Sequence, residues 1–177
     1  MQNQSNSNTE IIVSKKVLEM ITVANEYCLF VEKINHYEKN EVMLYLSRIA
    51  PLLYIKGSLL PDIEVTDTDA NERFVTEEQW LSIYKETKEL FKKDNSYSDN
   101  YSIRPFDNEY VQQEVSENIA DIYQDLKDFV MLYQKEGYAT KENAVFSCSY
   151  LFKNHWGKKV ISLMKAMHFY LFDNDNL

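Results

Sequence analysis

Three glycines and three prolines are all that punctuate the 177-residue chain, and this shortage constrains the fold more than any other property. Tight hairpins use Gly, Pro and Asn to reach backbone conformations that other residues resist. A chain this poor in two of them has little turn chemistry for many hairpins. The polar positions are filled mainly by Glu, Lys, Asp and Gln, which suit helix surfaces. An all-α fold follows. The length is that of one domain able to bury a sizeable core, so the expected architecture is a single-domain bundle of five or six helices with two long loops.

Periodicity places the helices. Over 11–35, Val17, Met20, Ile21, Ala24, Cys28 and Val31 recur at spacings of three and four and line one face. A second helix spans 40–56. Pro51 falls inside its pattern, predicting a kink or a fresh start there, with Gly57 ending the element. Thr76 and Gln79 have capping-box spacing, and a third helix runs from there to Lys92 and Lys93. The fourth covers 110–135. Val111, Val115, Ile119, Ile122, Leu126, Phe129, Val130 and Tyr133 share about a third of its circumference. A fifth opens at a Thr140 cap and reaches Trp156, and Gly157 separates it from a sixth, 158–172, with Val160, Ile161, Met164, Met167, His168 and Leu171 on one side. The layout is a disordered polar N-terminus at 1–10, a helical domain at 11–172 and a frayed acidic tail at 173–177. The connections 57–75 and 94–109 exceed the usual helix-to-helix loop of about two to eight residues, which makes them natural places for function.

The formal net charge of −9 opposes a phosphate backbone and the basic residues form no stripe, so nucleic acid is not expected as a partner. No apolar run reaches the roughly 20 residues of a membrane span. Neither a basic n-region nor an apolar h-region opens the chain, and Cys28 and Cys148 lie inside apolar helical patterns, so a cytoplasmic protein with reduced thiols is expected.

One stretch of the fourth helix stands out. Glu114, Glu117, Asp121, Asp125 and Asp128 form an acidic row beside its apolar face, with Lys127 as the only nearby positive charge. Like charges one turn apart cost about 0.2–0.5 kcal/mol per pair, and the helix dipole offsets this only in the first turns. Three readings compete. The row can be paired within the molecule, since 143–172 holds Lys153, Lys158, Lys159, Lys165, His155 and His168 but no Asp or Glu. It can dock a basic segment of a protein partner. Or it can hold a divalent metal, as carboxylates one turn apart do in all-helical nucleotide pyrophosphohydrolases; Glu38 and Glu41, Glu86 and Glu89, and Glu114 and Glu117 have Glu-x-x-Glu spacing.

Other constellations are weaker. Asp67, Asp69, Asn71 and Glu78 have the spacing of a calcium loop, but Glu72 occupies the position that needs Gly, so an acidic loop feeding the Thr76 cap is the simpler reading. Cys28 with His36, and Cys148 with His155, lie about 10 Å or more apart along their helices, too far for nucleophile pairs. Glu32 precedes His36 by four residues, not the three of a ferritin-like ligand pair. Tyr97, Tyr101, Phe106 and Tyr110 give the second loop aromatic weight, suited to anchoring it to the core or to contacting a partner.

The segments "SENIADIYQDLKDFV" (116–130), "FKNHWGKKVISLMKAMHFYL" (152–171) and "RFVTEEQW" (73–80) resemble the bacterial family called domain of unknown function 5063. The resemblance covers the chain from about residue 15 except most of 94–109. Its marks are the run from Ala120 to Tyr123 followed by Asp125, and the triplet His155, Trp156, Gly157; Asn118 replaces an acidic residue of the family pattern. It implies a helical cytoplasmic protein and brings no reaction, cofactor or partner. Both marks fall on the two segments matched by charge, which directs attention to Glu117, Asp121, Asp125, His155, Trp156 and Gly157. The expected function is a protein-binding or interaction module using the acidic fourth helix and the His-Trp-Gly junction, with no catalytic set, metal or cofactor assigned; the alternative is a divalent-metal-dependent phosphohydrolase.

Overall fold

Helical periodicity becomes six α-helices in the computed structural model, which describes residues 8–99 and 111–173. They are α1 (Lys15–Val31), α2 (Lys39–Ser58), α3 (Glu77–Phe91), α4 (Val115–Gln134), α5 (Tyr138–Asn154) and α6 (Trp156–His168). A helical turn at 8–12 precedes α1, and Asn8 within it is buried. The expectations for 1–7, for Tyr101, Phe106 and Tyr110, and for the tail beyond 173 lie outside the described residues.

α4 is the axis. It packs against α1, α3, α5 and α6, while α2 closes the bundle against α1 and α6. Ile119, Ile122, Leu126, Phe129 and Val130 are buried on the predicted face, and Ser116, Asn118, Asp125 and Asp128 are buried with them. A helix surrounded in this way has no room for a fully solvated acidic side. Tyr27 of α1, itself buried, donates its hydroxyl to the carbonyl of Ile119 at 3.0 Å and ties the two helices with a satisfied polar group in the core. Burial raises the pKa of its phenol well above the usual range and keeps it a donor.

Several boundaries differ from the sequence reading, each for a local reason. α4 begins at Val115, not near 110. Residues Val111–Glu114 form a strand, β2, paired antiparallel with β1 (Ser96–Asp99), and Val111 is exposed. Asn95 stops the helix from extending backwards: its carbonyl accepts from Val115 N at 2.8 Å and its side-chain oxygen from Ser116 N at 2.9 Å, taking two of the donors that the first turn leaves free. The Thr76–Gln79 capping box of α3 is present in both directions. Thr140, in contrast, lies inside α5 and returns its hydroxyl to the carbonyls of Glu136 and Gly137; the helix is entered from Gly137 at a positive φ of 107°, which glycine adopts without cost. On α6 the buried side is Trp156, Val160, Leu163, Ala166 and Met167, while Ile161 and His168 face outward.

Two glycines serve close approach. α2 is continuous through Pro51, and Gly57 does not terminate it; it sits buried in the last turn. A Cβ on Gly57 would lie 2.4 Å from the Trp156 ring and 2.6 Å from the Phe152 ring. Gly157 does not separate the last helices either. The break is His155, and Gly157 lies in the first turn of α6, where a Cβ would stand 2.2 Å from the carbonyl oxygen of Phe152. Trp156 is fully buried, its indole N–H donating to the Cys148 carbonyl at 3.1 Å.

These contacts order two substitutions. Gly57→Ala and Gly157→Ala each overpack the seam and are expected to cost about 1–3 kcal/mol. Gly157→Ala is the worse, because it strikes backbone where Gly57→Ala strikes rings that can shift. Urea denaturation followed by circular dichroism checks the order through the two midpoints; an equal or reversed ranking contradicts this account of the seam.

Candidate functional site

The acidic row of α4 meets its partners one residue at a time. Asp128, 7% exposed, accepts from the backbone N–H groups of Phe74 and Val75 at 2.7 and 2.9 Å and from Arg73 at 3.2 Å. One carboxylate thus pins the end of the first long loop just before α3 begins. Asp125, 4% exposed, accepts from His155 Nδ1 at 2.6 Å through one oxygen and faces Arg73 at 3.5 Å through the other. Asp121 accepts from Trp80 Nε1 at 3.0 Å and from Lys159 Nζ at 2.8 Å. Glu117 shares Lys159 at 3.0 Å. At the helix entrance Glu114 accepts from Tyr84 Oη at 2.6 Å and Lys88 at 3.1 Å.

The cluster draws on α3, α4, the 60–76 loop and the α5–α6 corner. His155 is the hinge of that corner. Its N–H closes α5 on the Leu151 carbonyl at 2.7 Å, and its own carbonyl accepts from Lys158 N at 3.0 Å as α6 starts. The ring then reaches Asp125, with Nε2 at 3.7 Å from Asp121. The hydrogen bond to Asp125 raises the His155 pKa above its ordinary value, against a desolvation that lowers it; the charges of Asp125 and Asp121 add to the rise and Lys159 subtracts. Lys159 is pulled down by desolvation, but the hydrogen bonds to Asp121 and Glu117 outweigh it and its pKa ends higher than usual.

The sequence reading of complementary segments is met in geometry: His155 and Lys159 come from the cationic segment and lie against Asp121, Asp125 and Glu117. Lys153 does not, pairing instead with Asp62 at 2.6 Å. Arg73 and Trp80 were not foreseen. Both come from 73–80, where the sequence signals are the Thr76–Gln79 capping box and membership of a recognisable motif, neither of which marks these two side chains. Trp156 and Gly157 lie behind the cluster in the packing seam and present nothing to solvent. Asn118 is buried and donates to Tyr97 Oη at 2.7 Å, a contact that the amide suits and that a carboxylate could make only by accepting from the hydroxyl. The groups facing the row are cations and N–H or O–H donors, which supports the pairing reading over the divalent-cation one. Among the described residues no group of three or more His, Cys, Asp and Glu side chains is placed to hold a metal ion. Asp67 caps a short turn, Thr68–Ala70, by accepting from Asp69 N at 3.0 Å, while Glu78 is already in the first turn of α3. Cys28 and Cys148 are buried thiols whose pKa values burial pushes up, which makes them poor nucleophiles. No helix among the described residues is long and apolar enough to cross a membrane.

With this geometry in hand, comparison with known proteins is informative. The family model described as domain of unknown function (DUF5063) matches residues 11–173. The chain belongs to this family. The DUF5063 fold seen here is similar to the crystal structure of protein BF1032 from Bacteroides fragilis, with a TM-score of 0.83 and 29% identity over 94% of this chain and 99% of that one. No curated protein matches the chain. The two family marks in the sequence, the Ala120–Asp125 stretch and the His-Trp-Gly triplet, are the two sides of the Asp125–His155 contact.

Two outcomes test the cluster. Asp128→Ala leaves the N–H groups of Phe74 and Val75 without their acceptor and is expected to destabilise by about 1–3 kcal/mol per unsatisfied group at most, with hydrogen exchange accelerated first at 73–75. His155, with a raised folded pKa, contributes stability that is complete below its unfolded value of about 6.5 and is lost as pH rises through the folded value. Nitrogen-edited NMR titration should therefore place its pKa above 6.5 and move it down in Asp125→Asn. An unchanged value in that variant contradicts the assigned cause.

Proposed function

We propose that the protein is a binding module, and that it engages its ligand through a groove on the opposite account of the chemistry: apolar, open and largely free of the paired acids. The observation that carries this is the groove between α2, α6 and the β1 strand, about 1230 Å³ in volume. Leu44, Ile161, Phe169 and Phe172 line it, and all four are substantially exposed. Single exposed apolar residues are ordinary, but several around one concavity mark a contact surface.

The α4 cluster then takes a supporting part. Glu117, Asp121, Asp125 and Asp128 line none of this groove, and each carries a partner from within the fold. A basic segment docking on them would have to displace Lys159, His155 or Arg73, whose links to the row are already formed. The interaction reading from the sequence is kept, and its surface moves from the acidic helix to the face where α2 and α6 expose apolar side chains. The phosphohydrolase reading gains no comparable observation, because the position between Asp121 and Glu117 is taken by the Lys159 ammonium.

The environment-sensitive dye 1-anilinonaphthalene-8-sulfonate reports on the groove. Fluorescence should rise on mixing with the wild-type protein, fall severalfold in Ile161→Asp with Phe169→Asp, and stay high in Phe146→Asp, an exposed change on α5. Equal enhancement in all three proteins would remove the groove from this reading. Melting curves confirm that the variants, all at exposed positions, remain folded.

A further inference from the structure

We infer that the groove takes an acidic amphipathic helix of a partner protein; the inference rests on the binding-module reading above. Three features select this occupant. The first is size and shape. At about 1230 Å³ the groove exceeds the roughly 300–1,000 Å³ of small-molecule sites, and it is bounded along its length by the helices α2 and α6. Apolar anchors along a helical groove are what an inserted helix meets through its residues at spacings of three, four and seven.

The second is charge. In a chain of net charge −9, the groove gathers Arg48, Lys93 and Lys165. Arg48 and Lys93 have no ion pair among the described residues. The rim also holds two carboxylates. Asp94 is neutralised by Lys39 at 2.6 Å, and Asp173 stands at the end of the described chain. With Asp94 paired, Arg48 and Lys93 make the rim locally cationic on a molecule whose net charge is negative. A basic partner would be turned away here and an acidic one held, because pairs in contact keep their attraction while repulsion from distant charges is screened beyond about 8 Å at physiological salt.

The third is the combination of the two. The cations share the lining with the apolar Leu44 and Ile161, so a complementary ligand presents apolar and acidic sides together. A helix with leucines on one stripe and glutamates beside it does so, and burying the stripe supplies affinity while the glutamates set the orientation.

The test uses the intact protein and a fluorescein-labelled peptide of about 18 residues, five helical turns, carrying leucines at helical spacing and glutamates elsewhere. Two controls accompany it: the same peptide with lysines for glutamates, and a scramble of equal composition that has no apolar stripe. Anisotropy should show binding of the acidic amphipathic peptide alone. Arg48→Glu with Lys93→Glu should weaken it at least about tenfold, one charge pair at a desolvated rim being worth that order, while circular dichroism shows an unchanged fold. Added salt should weaken binding to the wild type more than to this variant. Equal binding of the lysine peptide or the scramble overturns the inference. So does sodium oleate binding where the acidic peptide does not, since the groove is then a lipid site. If the dye still reports the groove in these cases, the binding-module reading stands and only the occupant is wrong; loss of the dye signal removes both.

Discussion

A helix packed on four sides cannot carry unpartnered carboxylates, and the architecture follows from meeting that condition on α4. Moving an unpaired carboxylate from water into the interior costs several kcal/mol, far more than the few tenths that like-charge neighbours cost on an exposed face. Asp125 and Asp128 are buried, so the chain must bring donors to them. It does so with a loop, a helix corner and two helices: Phe74 and Val75 with Arg73, His155, and Trp80 and Lys159 at Asp121. Each donor fixes the place of the element it belongs to. The polar groups thus specify which way round the bundle is assembled, while the apolar face of α4 supplies the bulk of the stabilisation.

The same logic extends to the first long loop. Besides Asp128, Glu142 accepts from Thr66 N at 3.0 Å and from Asn8 at 3.0 Å, and Asn143 donates to the Asp67 carbonyl at 2.7 Å. Buried polar side chains of α4 and α5 therefore satisfy backbone groups of a segment that forms little regular structure of its own. Length suggested a mobile or functional connection; the hydrogen bonds make it a strap laid across the bundle, away from the groove on the α2–α6 side.

Helix identity was legible because 3.6-residue periodicity is a property of each segment alone. The core face of α4 and the capping box at Thr76 could both be read locally. The misreadings share a cause: they depend on residues distant in sequence. Val111 fits the apolar spacing of α4, yet its segment pairs with β1 and Asn95 caps the helix behind it. The face of α6 is rotated from the expected one toward Trp156, which lies fully buried beside Gly57 of α2. For the site, charge complementarity identified the right pair of segments and held Lys159 among its cations, but could not separate it from its neighbours, since Lys153 and Lys159 differ only in which neighbour the corner at His155 brings within reach. Arg73 and Trp80 carried no signal of their own. Backbone donors such as Phe74 N are invisible in any sequence.

The meeting of Gly57 with Phe152 and Trp156 has a consequence for how the chain can vary. Three side-chain volumes share one space, so none can change independently. A larger residue at 57 becomes tolerable only when Phe152 shrinks, and a smaller Trp156 opens a void that a methyl at 57 would help to fill. The energies of such changes are non-additive: the pair would cost less than the sum of its parts. In a set of related chains this appears as correlated exchange among positions 57, 152 and 156, a volume conserved where no single residue need be.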